Sequence, residues 1–162
     1  MMKDKIKEII PYLIILVVVI LLKQYVFTTV KVNGSSMYPT LHNKDVMVLD
    51  KLSYRFNNIE RFDIVVVDIE TTKLIKRVIG LPNETIEYKD NVLYIDGKVI
   101  EDKYRDDDME DFTYALGSDE YFVMGDNRGD SIDSRVLGSV GRYQIMGKTK
   151  ITLFPLNRLG FK

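Results

Sequence analysis

Two residues of this chain, forty positions apart, have side chains that could do chemistry together. Ser36 lies in the turn-rich run Asn33-Gly34-Ser35-Ser36-Met37-Tyr38-Pro39-Thr40. Lys76 lies in the apolar, strand-like run Leu74-Ile75-Lys76-Arg77-Val78-Ile79-Gly80. A lysine among apolar neighbours is costly to keep charged, and the cost falls if it works as a neutral amine. A neutral amine can serve as general base for a serine nucleophile. Each residue also has an ordinary reading. Gly, Ser, Pro and Thr build plain turns, and a strand lysine can sit at a solvated edge. Successive strand residues point to opposite faces, so one of Lys76 and Arg77 is expected to face inward. The local sequence leaves open which.

A third segment, Gly125-Asp126-Asn127-Arg128-Gly129-Asp130-Ser131-Ile132-Asp133-Ser134-Arg135, directly follows the apolar run Tyr121 to Met124. It reads either as a polar surface loop with an Asp–Arg pair, worth little, or as a loop closing one wall of a site. The other familiar chemistries are excluded. His42 is the sole histidine and lies in a polar turn, where it is expected to be exposed. A Ser–His–Asp triad would have to use it, and a site with two histidine ligands is ruled out. There is no cysteine, which removes disulfides, thiolate metal sites and a cysteine nucleophile. No serine has a lysine three residues on, so the SxxK nucleophile motif is absent. Lys plus Arg is 23 and Asp plus Glu 24, a balance with no signature of nucleic-acid binding.

The elements that must hold these residues fall into two parts. Ile9 to Leu22 is apolar apart from Pro11 and Tyr12. Extended across Lys23 and Gln24 to Phe27, it approaches the roughly 20 residues that span a bilayer. Lys23 can snorkel to the interface and Tyr25 suits the aromatic belt. Three lysines against two acids in residues 1–8 place the N-terminus in the cytoplasm. A cleaved signal peptide would need a small-x-small site, and Thr28-Thr29-Val30-Lys31-Val32 offers no alanine pair. A buried core helix of a soluble domain is the remaining alternative. The expected organisation is a cytoplasmic tail over 1–8, a single-span anchor over 9–27 and a β-rich domain over 28–162 outside the membrane.

Within 28–162, strands are expected at Asp45–Asp50, Phe62–Asp68, Lys73–Ile79, Thr85–Tyr88, Val92–Ile95, Lys98–Ile100, Glu120–Met124 and Lys148–Phe154. The unbroken Ile64-Val65-Val66-Val67 run predicts burial on both faces. Lys89-Asp90-Asn91 and Asp96-Gly97 predict hairpin turns, the latter of type I′. Glu101 to Glu120, rich in acids, lacks the register of a calcium loop and predicts a solvated surface loop.

Taken together, the segments resemble type I signal peptidases, membrane-bound serine proteases that remove signal peptides from exported proteins. Ser36-Met37-Tyr38-Pro39-Thr40-Leu41 is similar to the family's nucleophile box. Arg61-Phe62-Asp63-Ile64-Val65-Val66 is similar to its apolar strand box, with Phe62 where Gly is commoner. Lys76-Arg77-Val78-Ile79-Gly80-Leu81-Pro82 resembles its general-base box, and Gly125-Asp126-Asn127-Arg128 with Ser131, Asp133, Ser134 and Arg135 resembles its last box. The short chain and single anchor are similar to the Gram-positive branch.

The resemblance implies a mainly β, antiparallel catalytic domain of the signal-peptidase and LexA-like type behind one transmembrane helix. It implies Ser36 as nucleophile, Lys76 as general base, Ser131 holding the lysine amine, and Asp133 with Arg135 as a supporting ion pair. The Ser36 backbone N–H would bind the oxyanion. Many Gram-negative members of the family add a hydroxyl two residues before the nucleophile, where this chain has Gly34, leaving the Gly34 backbone or Ser35 as guesses for a second donor. The substrate would be a signal peptide cut after a small-x-small motif, at the outer membrane face, with no metal or organic cofactor and no nucleic acid. Two rivals stand beside this. LexA-type repressors share the dyad but carry a DNA-binding domain where this chain has an apolar segment. A catalytically silent assembly factor of signal-peptidase-like ancestry would be expected to lose the dyad, and both residues are present.

Overall fold

A computed structural model describes residues 2–104 and 109–162, with side chains from residue 8 onward. The chain opens with helix α1, Met2–Tyr25. Its stretch Glu8–Tyr25 has a mean hydropathy of 2.0 and no buried residue, long and apolar enough to cross a membrane. Phe27, counted at the end of the apolar run, instead begins strand β1 (Phe27–Lys31). Phe-Thr-Thr-Val is aromatic and β-branched, and it gains a pairing partner in β2 (Val46–Asp50), with Phe27 opposite Asp50. The lysines at positions 3, 5 and 7 lie on the helix, but their side chains fall outside the described residues.

After β2 come a one-turn helix α2 (Ser53–Phe56), β3 (Ile64–Asp68) and β4 (Lys73–Gly80). Next are β5 (Thr85–Lys89), β6 (Val92–Ile95), β7 (Lys98–Ile100), β8 (Phe112–Ala115) and β9 (Glu120–Met124). The short helix α3 (Ser134–Leu137), β10 (Val140–Gly141), β11 (Ile145–Phe154) and β12 (Gly160–Phe161) complete the chain. All strand pairs are antiparallel. The large sheet runs β1-β2-β11-β3-β4-β9-β10, with β12 beside β11, and the small sheet runs β7-β6-β5-β8.

Strand β3 is central, and Ile64 to Val67 are all at most 3 % exposed, as the unbroken apolar run predicts. Val65 and Val67 pack with Val78, Val123 and Ile145, while Ile64 packs with Met37, Leu41 and Met47. A third cluster joins the two sheets through Ile79, Ile86, Leu93, Phe122 and Met124. Both predicted hairpins form. Asp90 and Asn91 have φ of 49° and 64°, and Asp96 and Gly97 have 49° and 73°, the positive pair that a type I′ turn requires.

The acidic stretch 101–120 differs from a solvated loop. Asp106, Asp107 and Asp108 lie outside the described residues, but Phe112–Ala115 forms β8 and pairs with β5, Tyr88 opposite Phe112. Phe112 and Tyr114 alternate inward and meet Phe122 at ring separations of 5.6 and 5.1 Å. Four residues of period-two pattern carry this strand, and the surrounding charge obscures them in the sequence.

Strand β11 passes so close to β2 that a side chain at Gly147 has no room. A Cβ built there lies 2.2 Å from the Asp50 carbonyl oxygen, which is backbone and fixed by pairing. Gly147→Ala is expected to destabilise the fold by about 1–3 kcal/mol, seen as a lowered Tm of the detergent-solubilised protein.

Candidate functional site

Strand β4 pairs with β3 along Lys73–Arg77 and with β9 along Arg77–Gly80, and Val78 also exchanges backbone bonds with Phe62 and Asp63. The sequence predicts one inward side chain from the pair Lys76 and Arg77. Both are buried, each 2 % exposed. Alternation still holds, but both faces are covered. Arg77 makes a two-pronged ion pair with Asp126, Nε to Oδ1 2.8 Å and Nη2 to Oδ2 2.7 Å. Its Nη1 donates to the Phe62 carbonyl, and the Tyr104 ring lies over the guanidinium at 3.4 Å. Phe62 itself has φ of 69°.

Lys76 has no such partner. Among the described residues, no carboxylate reaches ion-pair distance of its amine. Nζ lies 2.8 Å from Ser36 Oγ and 3.0 Å from Ser131 Oγ. Burial pushes the lysine below its ordinary 10.5. Asp133, Asp126 and Asp130 pull it upward and Arg135 lowers it further, but desolvation is the largest cause. An amine so placed can be neutral and accept the proton of a serine hydroxyl.

The loop after β9 supplies the remaining parts. Asp133 caps α3 and is held by five donors. Arg135 Nε donates to Oδ1 at 2.9 Å, Arg135 Nη2 to Oδ2 at 2.9 Å, and the Gly125 N–H to Oδ2 at 2.9 Å. The Arg135 N–H also reaches Oδ1, and the Ser131 hydroxyl bonds the same carboxylate. Burial alone would raise the Asp133 carboxyl, but these hydrogen bonds outweigh it and hold it below the usual carboxylate range. Ser131 Oγ accepts from Lys76 Nζ, and the Ser131 hydroxyl has the Asp133 carboxylate in reach as its own acceptor. The amine's lone pair is then free for Ser36.

The same loop sets Ser36. The Asn127 N–H donates to the Ser36 carbonyl at 3.1 Å, and Asn127 Nδ2 to the Ser35 carbonyl at 3.3 Å. Gly125 is packed between the two hydroxyl-bearing segments. A Cβ there would lie 2.3 Å from Ser131 Oγ and 2.4 Å from the Ser36 carbonyl oxygen. No hydrogen bond among the described residues takes the Ser36 N–H. Gly34 has φ of 96°, in the left-handed region, with open space where a side chain would be. Its N–H goes to Asn43 Oδ1 at 3.2 Å, and the Ser35 hydroxyl goes to Asp130. His42 is half-buried, edge-on to Tyr38 at 5.2 Å, rather than exposed.

The structure thus brings Ser36, Lys76, Ser131, Asp133 and Arg135 into one hydrogen-bonded chain. Gly125 and Asn127 join them by contacts that residue type alone does not signal. Beside this chain a narrow groove of about 60 Å³ runs between Lys31–Asn33 and Lys73–Ile75, ending at Ser36 and Lys76.

The family model described as "Signal peptidase, peptidase S26" matches residues 5–154, and the chain belongs to this family. Among its relatives, signal peptidase I S of Bacillus subtilis (strain 168) is 36% identical over 160 residues, 90% of this chain and 87% of the relative. Signal peptidase I V of the same organism is 40% identical over 148 residues, 81% and 88% of the two chains. The crystal structure of a signal peptidase I from Enterococcus faecalis V583 superposes with a TM-score of 0.53 at 33% identity, covering 57% of this chain and 97% of that one.

If neutral Lys76 is the working base, activity rises with pH along a limb that lies below 10.5. Asp133→Asn removes the group that most raises the amine and leaves Arg135, which lowers it, unpaired. That limb is expected to move to lower pH while kcat falls, as read from a pH profile of precursor cleavage.

Proposed function

We propose that this chain is a membrane-anchored serine endopeptidase that cleaves N-terminal signal peptides from exported preproteins, with Ser36 as nucleophile and Lys76 as general base. The observation that carries the reading is the 2.8 Å contact between Ser36 Oγ and the buried, carboxylate-free Lys76 amine. A silent assembly factor would have no use for a lysine held at that cost. Ser36 attacks the scissile carbonyl as Lys76 takes its proton. The developing oxyanion meets the Ser36 N–H. Lys76 then returns the proton to the departing amine, and a water deprotonated by Lys76 hydrolyses the acyl-enzyme. Base, nucleophile and oxyanion donor all come from the chain, so these steps call for no metal or organic cofactor.

The groove fits an extended substrate. Lys73 to Lys76 pair with β3 on one side, and the described pairing with β9 begins only at Arg77. The other edge of that half-strand is available for the main-chain bonds of an added strand. The volume of about 60 Å³ suits small side chains on the residues before the cut. Helix α1 is the anchor, with residues 1–8 cytoplasmic and residues 28–162 at the outer face, where a membrane-held signal peptide presents its cleavage region. The bilayer and the preprotein are the partners, and nucleic acid is not.

Two outcomes test this with purified full-length protein in detergent and a synthetic preprotein bearing an Ala-x-Ala site. Ser36→Ala and Lys76→Ala are each expected to lower kcat at least about a thousand-fold, and Lys76→Arg is expected not to restore it, because guanidinium stays charged. Wild-type rates in either alanine variant would overturn the assignment. Ile75→Ala, which widens the groove, is expected to raise cleavage of a precursor with Val three residues before the cut, relative to Ala, by roughly 10-fold.

A further inference from the structure

Arg128 lies outside the hydrogen-bonded chain described above, yet it holds the loop of that chain by two contacts, and its neighbour adds a third. Its Nε donates to the Gly125 carbonyl at 2.8 Å, and its own carbonyl accepts Arg135 Nη2 at 2.8 Å. The next residue back, Asn127, supports the Ser36 carbonyl. The guanidinium is therefore the bracket on which the 125–135 loop is bent. It is also a fully buried charge, its side chain 0% exposed. The carboxylate that compensates it comes from far away in sequence. Asp102 Oδ2 lies 2.8 Å from Arg128 Nη1, with the Asp102 side chain 5% exposed. The Tyr88 hydroxyl on β5 joins both, accepting from Arg128 Nη1 at 2.8 Å and donating to Asp102. Among the described residues Nη2 is buried without a partner, so the remaining contacts of this cation are not redundant.

The segment that delivers Asp102 also delivers Tyr104, whose ring covers Arg77 beside Lys76. The Tyr104 N–H donates to Asp102 Oδ1 at 3.2 Å, which ties the two contacts into one unit. Two residues shortly after β7, Asp102 and Tyr104, thus grip two buried arginines, one on each of the segments that carry Lys76 and Ser131.

We propose that Asp102 is a remote positioning residue for the reaction, acting through Arg128 to fix the loop that places Ser131 against Lys76 and Asn127 against Ser36. This rests on the proposed signal-peptidase reading. Asp102 touches neither substrate nor the reacting atoms. Its effect is on geometry: without the carboxylate, Arg128 is an uncompensated buried cation, and its relief is to swing out and take Gly125 and the Arg135 contact with it. A displacement of about 1 Å at the reacting groups is enough to cost about 100-fold in rate.

The test uses the full-length protein in detergent and the same synthetic preprotein, with kcat and KM measured separately. Asp102→Asn is expected to lower kcat about 10- to 100-fold with KM within about 2-fold, since the groove at Lys31–Asn33 and Lys73–Ile75 is not touched. Asp102→Glu, which keeps the charge, is expected to restore most of the loss. The double variant Asp102→Asn/Ser131→Ala should lose clearly less than the product of the two single losses, because part of the effect of Asp102 runs through Ser131. Should Asp102→Asn fail to fold by circular dichroism, Tyr88→Phe carries the test. It removes the shared hydroxyl while leaving the ion pair and is expected to lower kcat about 3-fold or more. Wild-type kcat in the folded variant, a loss confined to KM, or full additivity in the double variant would each overturn the proposal. An inactive wild-type protein would instead overturn the function on which it rests.

Discussion

The structure turns on one cost: a lysine amine enclosed in a β-sheet protein with, among the described residues, no carboxylate against it. Burial of a cation is unfavourable, and here it is not relieved by an ion pair. The amine is offered two hydroxyl oxygens instead, Ser36 and Ser131. Hydroxyls satisfy a neutral amine well and an ammonium poorly, since neither carries charge. Asp133 is close enough to orient Ser131 but spends its own charge on Arg135. Had Asp133 faced Lys76 directly, the lysine would hold its proton and lose its value as a base.

Much of the surrounding architecture follows from keeping charges in separate pairs. Arg77 stands next to Lys76 in the chain, yet opposite faces of β4 divide them, and Asp126 takes the arginine in full. Arg135 has Asp133, and Arg128 has Asp102. Among the described residues, the buried guanidiniums Arg77 and Arg128 each have their own carboxylate, and the buried cation without one is the lysine. The loop 125–135 serves all of these contacts at once. That explains why it needs Gly125, where any side chain would collide with Ser131 and the Ser36 carbonyl.

The sheets determine what can reach the site. Strand β4 outruns its pairing with β9, so its first half keeps one edge open just where the groove ends at Ser36 and Lys76. Helix α1 leads with a single intervening residue into β1, and β1 continues toward the groove wall at Lys31 to Asn33. A membrane-held helix and one wall of the groove are thereby one continuous piece of chain.

The sequence by itself determined the apolar first segment, the central strands and the type I′ hairpins. These rest on local rules: run length, period-two alternation and the need for positive φ. It also marked Ser36, Lys76 and the 125–135 run as places for chemistry. Strand β8 was hidden, because four alternating residues are a weak signal inside an acidic stretch. The burial of both Lys76 and Arg77 was hidden as well. Alternation assigns them opposite faces, but whether a face is covered depends on segments forty to fifty residues away. The roles of Gly125, Arg128, Asp102 and Tyr104 were likewise out of reach of residue type and spacing. A buried pair is defined by the approach of two distant segments, and only the tertiary structure brings 102–104, 125–135 and β4 together.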